Sequence, residues 1–170
     1  MKTPLAALLL ALAAISAHAS PEPKVKPASV ARAEQGFALI AKKQPTAAAD
    51  QFESALAVDP TNRRAYVGLA ETARALGLPG KAVRYYREAL SLEPNDLDAL
   101  SGQAQALAER GATARAEINL ARIEKLCGGP TCLQATRARV AIASANAVAR
   151  TAANTPAPIP VGAAPKTARN

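Results

Sequence analysis

The chain has 170 residues, 49% of them hydrophobic but only 3% aromatic, and carries 21 Lys and Arg against 13 Asp and Glu, a formal charge of +8. Much of the apolar content is alanine, the best helix former, and no run of β-branched and aromatic residues argues for a sheet. The basic balance favours acidic partners or anionic surfaces, but it bears on association and not on fold; a solvated basic surface is the simpler reading, and nucleic acid is not an expected partner.

Lys2, the apolar run from Leu5 to Ile15 and the Ala17-His18-Ala19 triplet read as a secretory signal peptide, residues 1–19, cut after Ala19. The run is too short to remain as a spanning helix, and no cysteine near the cut offers a lipid attachment point. Cleavage would remove the sole histidine, His18, and with it any His-based triad, His metal site or imidazole base. The expected compartment is periplasmic or secreted.

Residues 20–28, with Pro21, Pro23 and Pro27, read as an extended linker. A first helix is predicted from Ser29, as N-cap, to about Lys42, with Val30, Ala33, Phe37 and Ile40 at helical spacing. Pro45 opens a second helix that carries Ala48, Phe52, Ala55 and Leu56 and stops at Asp59-Pro60. Thr61 or Asn62 caps a third, with Tyr66, Leu69, Ala70 and Ala73, ending at Gly77. Pro79 opens a fourth, with Ala82, Val83, Tyr86, Ala89 and Leu90, closing at Glu93-Pro94. A fifth starts near Asn95, runs through Leu100, Ala104 and Leu107, and turns at Gly111; a sixth starts at Thr113, with Ala116, Leu120 and Ile123 inward.

Gly128-Gly129-Pro130 breaks the pattern. A capping helix is predicted over 131–150, with Leu133, Val140, Ser144 and Val148 on one face, covering the open edge of the third unit. Residues 151–170, alanines interrupted by Pro156, Pro158, Pro160 and Pro165, read as a disordered tail.

Ala48, Phe52, Ala55 and Pro60 recur 34 residues later as Ala82, Tyr86, Ala89 and Pro94, and more weakly as Ala116, Leu120 and Ile123. A fixed period in this range marks a repeat protein. Together with Gly36, Tyr66 and Leu69, these residues resemble the tetratricopeptide repeat (TPR) family over about Ser29 to Leu126. The second unit matches best. The first has Arg32 and Gln35, and the third Gln103, Ile123 and Gly128, where the family prefers other residues. The resemblance implies an all-α, right-handed α-solenoid of about three helix-turn-helix repeats (29–62, 63–96 and 97–130) plus the capping helix.

It also implies a concave groove lined by the first helix of each repeat. The matching positions are Ala33, Phe37 and Ile40; Arg64, Val67, Glu71 and Arg74; and Asp98, Ser101, Gln105 and Glu109. Arg64 and Arg74 offer bidentate capture of a carboxylate; the alternative is that Arg74 pairs with Glu71 or Glu109 and is not available. Ala33 and Phe37 stand where some relatives place the Lys and Asn that clamp a peptide C-terminus, so a chaperone-tail adaptor is not supported.

Cys127 and Cys132 are expected to form a structural disulfide locking the cap to the third repeat, because export favours oxidation and a glycine-rich turn lets the chain close. The spacing is longer than the C-x-x-C of a redox dithiol, and a metal site lacks further ligands. The carboxylates of Glu71 and Glu109, or of Asp96 and Asp98, have no nucleophile or phosphate loop beside them, so neither enzyme activity nor a cofactor is expected. The expected function is that of an exported interaction scaffold holding a peptide or partner protein in envelope assembly, secretion or pilus biogenesis. The alternatives are a redox accessory protein using Cys127 and Cys132, and an envelope-polymer or lipid-headgroup binder acting through Arg137, Arg139 and Arg150.

Overall fold

The computed structural model describes residues 25–154. The residues read as a signal peptide, the expected linker before Val25 and the expected tail from residue 155 lie outside them. The described residues form seven helices and no strand: α1 (Pro27–Ala41), α2 (Pro45–Val58), α3 (Arg63–Ala75), α4 (Pro79–Leu92), α5 (Leu97–Glu109), α6 (Thr113–Cys127) and α7 (Leu133–Asn154). They pair as α1–α2, α3–α4 and α5–α6, each pair stacks on the next, and α7 rests on α5 and α6. The protein is an all-α solenoid of helical repeats.

Local chemistry sets the helix ends. Pro27, Pro45 and Pro79 occupy first turns, where a missing N–H costs nothing. The side chains of Asn62 and Asp96 accept from the backbone N–H of Ala65 and Ala99 at 3.3 and 2.9 Å, capping α3 and α5. The turn inside each repeat needs one left-handed residue; Gly77 (φ 71°) and Gly111 (φ 75°) supply it, and Lys43 (φ 58°) takes the equivalent place in the first repeat.

Two expectations at the first repeat change. Pro27 starts α1 two residues early, so Ser29 lies inside the helix, and its N-cap is Lys26. Ser29 is fully buried. Its hydroxyl donates to the Ala55 carbonyl at 2.7 Å and accepts from Asn62 Nδ2 at 2.8 Å, tying α1, α2 and α3 together. Beside it Asp59 accepts from the Lys26 backbone N–H at 2.8 Å and from Thr61, and these bonds hold its carboxyl below the usual range. One repeat later, Arg63 makes the corresponding bridge, to Asp96 and to Glu93 at 2.9 Å.

The core is built around two aromatic rings. Phe52 is fully buried against Gly36 of its own repeat and Gly68 of the next; Tyr86, 1% exposed, lies on Gly102 of the next. A Cβ on any of these three glycines would overlap the ring. Buried alanines (Ala48, Ala55, Ala82, Ala89, Ala116) let each pair of helices approach closely, and the larger cluster runs on from α3 to α7.

The capping helix differs from expectation in face and length. Its buried side is Ala135, Ala138 and Ile142, while Leu133, Val140 and Val148 are 57, 61 and 70% exposed. The Ser101 hydroxyl on α5 donates to the Gln134 carbonyl at 2.9 Å, which holds the start of α7 close to α5 with Ala135, Ala138 and Ile142 turned inward. The helix also continues to Asn154, through residues assigned to the tail.

The glycine seats yield opposed outcomes for one substitution. Gly102→Ala gains about 1 kcal/mol of helix propensity but forces Tyr86 aside, an overpacking cost of about 1–3 kcal/mol, so the melting temperature should fall. In α4 a Cβ on Gly80 would meet nothing nearer than the Arg110 side chain at 3.7 Å, so Gly80→Ala should raise it, by roughly 0.5–1 kcal/mol in stability. A thermal melt of both variants in which Gly102→Ala is the more stable would refute the seat.

Candidate functional site: the face of helices α1, α3 and α5

Repeat spacing places equivalent residues side by side on the first helix of each pair. Val30, Arg64 and Asp98 form one row, Ala33, Val67 and Ser101 a second, and Phe37, Glu71 and Gln105 a third. Neighbouring first helices touch, α1 with α3 and α3 with α5, so these rows run across a continuous face.

The second row is floor and not surface. Ala33, Val67 and Ser101 are 2, 7 and 2% exposed, so Val67 and Ser101, expected to line the groove, are not accessible. Ser101 is covered because α7 sits against α5. Phe37 is half-buried: its ring meets Phe52 edge-on at 5.0 Å, and the Arg64 guanidinium lies 5.0 Å from its centroid. Ile40 and Gln105 are also half-buried, and Arg64, Glu71, Asp98 and Glu109 are exposed.

The arginines are already engaged. Arg64 donates to Glu34 at 2.5 Å. Arg74 grips Glu109 through Nε at 3.0 Å and Nη2 at 2.5 Å. The two pairs bridge α1 to α3 and α3 to α5. Of the two states open to Arg74, the internal pair with Glu109 is the one formed, and a free carboxylate clamp is not. The physical reason is proximity: a carboxylate held on the adjacent helix outcompetes one that must come from solution. At the third junction Gln134 of α7 donates to Asp98 at 3.0 Å. Sequence reading missed Glu34 and Gln134. The available signal was a complementary polar residue one repeat away, give or take a helical turn, from each groove position.

Glu71 stands apart. It makes no hydrogen bond or ion pair among the described residues, and it is crowded although solvent reaches it. Desolvation raises its pKa, Asp98 adds to the rise, and Arg74 and Arg137 oppose it. Beneath it, burial pushes the Tyr86 hydroxyl up to about 12, with the Glu71 charge adding and Arg74 opposing. The core ring and the groove are thus electrically in contact.

Cys127 and Cys132 are bonded to each other, with Cα atoms 6.2 Å apart, at the junction of α6 and α7. Both pack against the core.

Residues 63–106 match the family model of the tetratricopeptide repeat. No curated protein matches the chain. Similar solved structures include the first TPR of Spaghetti (RPAP3) bound to the HSP90 peptide SRMEEVD, with TM-score 0.63 and 20% identity, covering 71% of this chain and 96% of that one. The Sgt2 TPR domain from Aspergillus fumigatus gives 0.66 and 22%, covering 84% and 93%. The Yersinia enterocolitica type III secretion translocator chaperone SycD gives 0.61 and 16%, covering 76% and 97%. At these identities the likeness is one of fold.

The Glu71 shift has a sign that can be checked. A carboxyl whose pKa is raised on folding binds protons more readily when folded, so its ionised form opposes folding at neutral pH and its protonation favours it. Glu71→Gln should raise the melting temperature at pH 7, and the gain should disappear as pH falls through the folded-state pKa, which lies above the 4.5 of an ordinary Glu. Melting curves for parent and variant that stay parallel from neutral to acid pH would remove the effect.

Proposed function

We propose, from the match of residues 63–106 to the tetratricopeptide repeat and from the solenoid fold, that the chain is an exported scaffold that captures a peptide or a segment of a partner protein on the face of α1, α3 and α5. The observation that carries this reading is the set of rows. Residues 34 apart fall side by side over three touching helices, with a buried floor beneath and Ile40, Glu71, Asp98 and Gln105 standing above it. A structure of similar fold, the first TPR of Spaghetti (RPAP3), is bound to an HSP90 peptide, which supports peptide capture as a use of this fold. The role is binding and not catalysis.

Because Arg64 and Arg74 are neutralised by Glu34 and Glu109, the proposed mode of capture is not a carboxylate clamp. The partner would meet an apolar shoulder at Phe37 and Ile40 and a polar, acid-leaning wall at Glu71, Asp98 and Gln105. Export is supported by the N-terminal basic-apolar-small pattern and by the bonded Cys127–Cys132 pair, since structural disulfides persist in oxidising compartments. Within an envelope the candidate processes are assembly, secretion and pilus biogenesis.

Site-specific photocrosslinking tests the face. A crosslinker at Gln105 or Ile40 should trap one partner from the envelope fraction, while a crosslinker at Glu88, exposed on α4, should not. Glu71→Arg combined with Gln105→Arg should abolish the adduct at Ile40 without lowering the melting temperature. Equal trapping from Glu88, or an adduct indifferent to the double substitution, would assign binding elsewhere.

A further inference from the structure

The basic charge of this protein is unevenly placed. After Glu124 there is no Asp or Glu as far as Asn170, while Lys125, Arg137, Arg139, Arg150, Lys166 and Arg169 all fall in that stretch. These account for six of the eight net charges; the preceding 124 residues hold 15 basic against 13 acidic side chains. An imbalance of this kind marks a segment that meets a polyanion or an anionic surface.

Beyond the last turn of α6, the regular structure described in that stretch is α7, and its outward face carries three exposed apolar residues. Leu133, Val140 and Val148 are 57, 61 and 70% exposed on a helix whose opposite side, Ala135, Ala138 and Ile142, is the one that packs. At 100° per residue, Leu133, Val140 and Val148 fall within an arc of about 80°, and they extend along about 22 Å of helix. Arg137 lies within this arc, and Arg139 and Arg150 lie beyond its other edge, about 100–120° from Leu133. Arg139 is tied to Glu124 at 2.5 Å and to the Pro130 carbonyl; Arg137 makes no hydrogen bond but feels the Glu71 charge, and Arg150 makes no hydrogen bond or ion pair among the described residues.

We propose that the outer face of α7 is a docking surface for an anionic lipid leaflet. The helix would lie in the plane of the interface, with Leu133, Val140 and Val148 at the acyl boundary and Arg137 and Arg150 at the headgroup phosphates. A second copy is disfavoured as occupant, because two acid-free helices bearing three arginines each would be brought together. An acidic protein helix fits less well, because the apolar residues come about one every two turns along a line and not in a pocket that seats an anchor. Arg137 is near enough to Glu71 to act on its charge, and Val148 borders the same cavity as Glu109, so the lipid-facing surface adjoins the face of α1, α3 and α5 along this edge.

Vesicle co-sedimentation of the full chain tests this, with vesicles of phosphatidylcholine alone or with about one-third phosphatidylglycerol. The parent should sediment with the anionic vesicles and be released as salt rises from about 0.05 to about 0.5 M. Arg137→Glu with Arg150→Glu, and separately Val140→Glu with Val148→Glu, should each weaken binding by about tenfold or more; the exposed valine pair should leave the melting temperature unchanged, whereas Arg137→Glu removes a favourable charge near Glu71 and should lower it slightly. Arg84→Glu with Arg87→Glu on α4 makes the same change in net charge at another exposed place and should cost less than about threefold. Three results would each overturn the proposal: equal binding to neutral vesicles, equal loss in the α4 control, or α7 variants that bind like the parent. Retention on a polyanion or an acidic protein without sedimentation on anionic vesicles would also do so.

Discussion

The contact on which the rest depends is an aromatic ring lying on a glycine. Phe52 touches Gly36 and Gly68, and Tyr86 touches Gly102. Each ring comes from the second helix of one repeat and sits where the first helix of the next has no side chain. The absent Cβ sets how near successive repeats come, and therefore how near α1, α3 and α5 stand on the candidate face. Only at that separation do Glu34 and Arg64, or Arg74 and Glu109, reach each other. The packing that stabilises the fold also decides which charges on the face remain free.

The face itself is charged but largely self-satisfied. Two arginines are neutralised by carboxylates from neighbouring helices, and Asp98 is held by Gln134. Exposed ion pairs of this kind contribute little stability, so their weight is in what they withhold from a ligand. Glu71 is the exception: an unpaired carboxylate in a crowded place, resting over the hydroxyl end of Tyr86. A partner that neutralised Glu71 would relieve a cost that the folded chain bears alone.

The two ends of the array are finished differently. At the start, Ser29, Asn62, Asp59 and Lys26 form a compact hydrogen-bond knot. At the other end, α7 covers the third repeat with Ala135, Ala138 and Ile142, is linked to α6 by Cys127–Cys132, and leaves Leu133, Val140 and Val148 facing out. An array of repeats needs an end that does not continue stacking. Here the end is made cationic and mildly apolar where a purely polar cap would have served.

The sequence by itself determined the repeat architecture. The 34-residue recurrence of Ala-aromatic-Ala-Pro, the prolines in first turns and the left-handed glycines Gly77 and Gly111 are local or periodic signals, and they placed six helices to within a few residues. It also exposed the rows of the candidate face, since equivalent residues in a repeat must lie side by side. Whether a row is floor or surface was decided by tertiary structure, because Val67 and Ser101 are buried by helices distant in sequence. The choice of Glu109 over Glu71 for Arg74 was decided in the same way, by the spacing that the ring-on-glycine contacts impose. So was the rotation of α7. Leu133, Val140 and Val148 looked like its inner face by residue type, but α7 is turned by its contacts with α5 and α6, the Ser101–Gln134 bond and the Arg139–Glu124 pair among them, and a hydrophobicity pattern carries no information about such contacts.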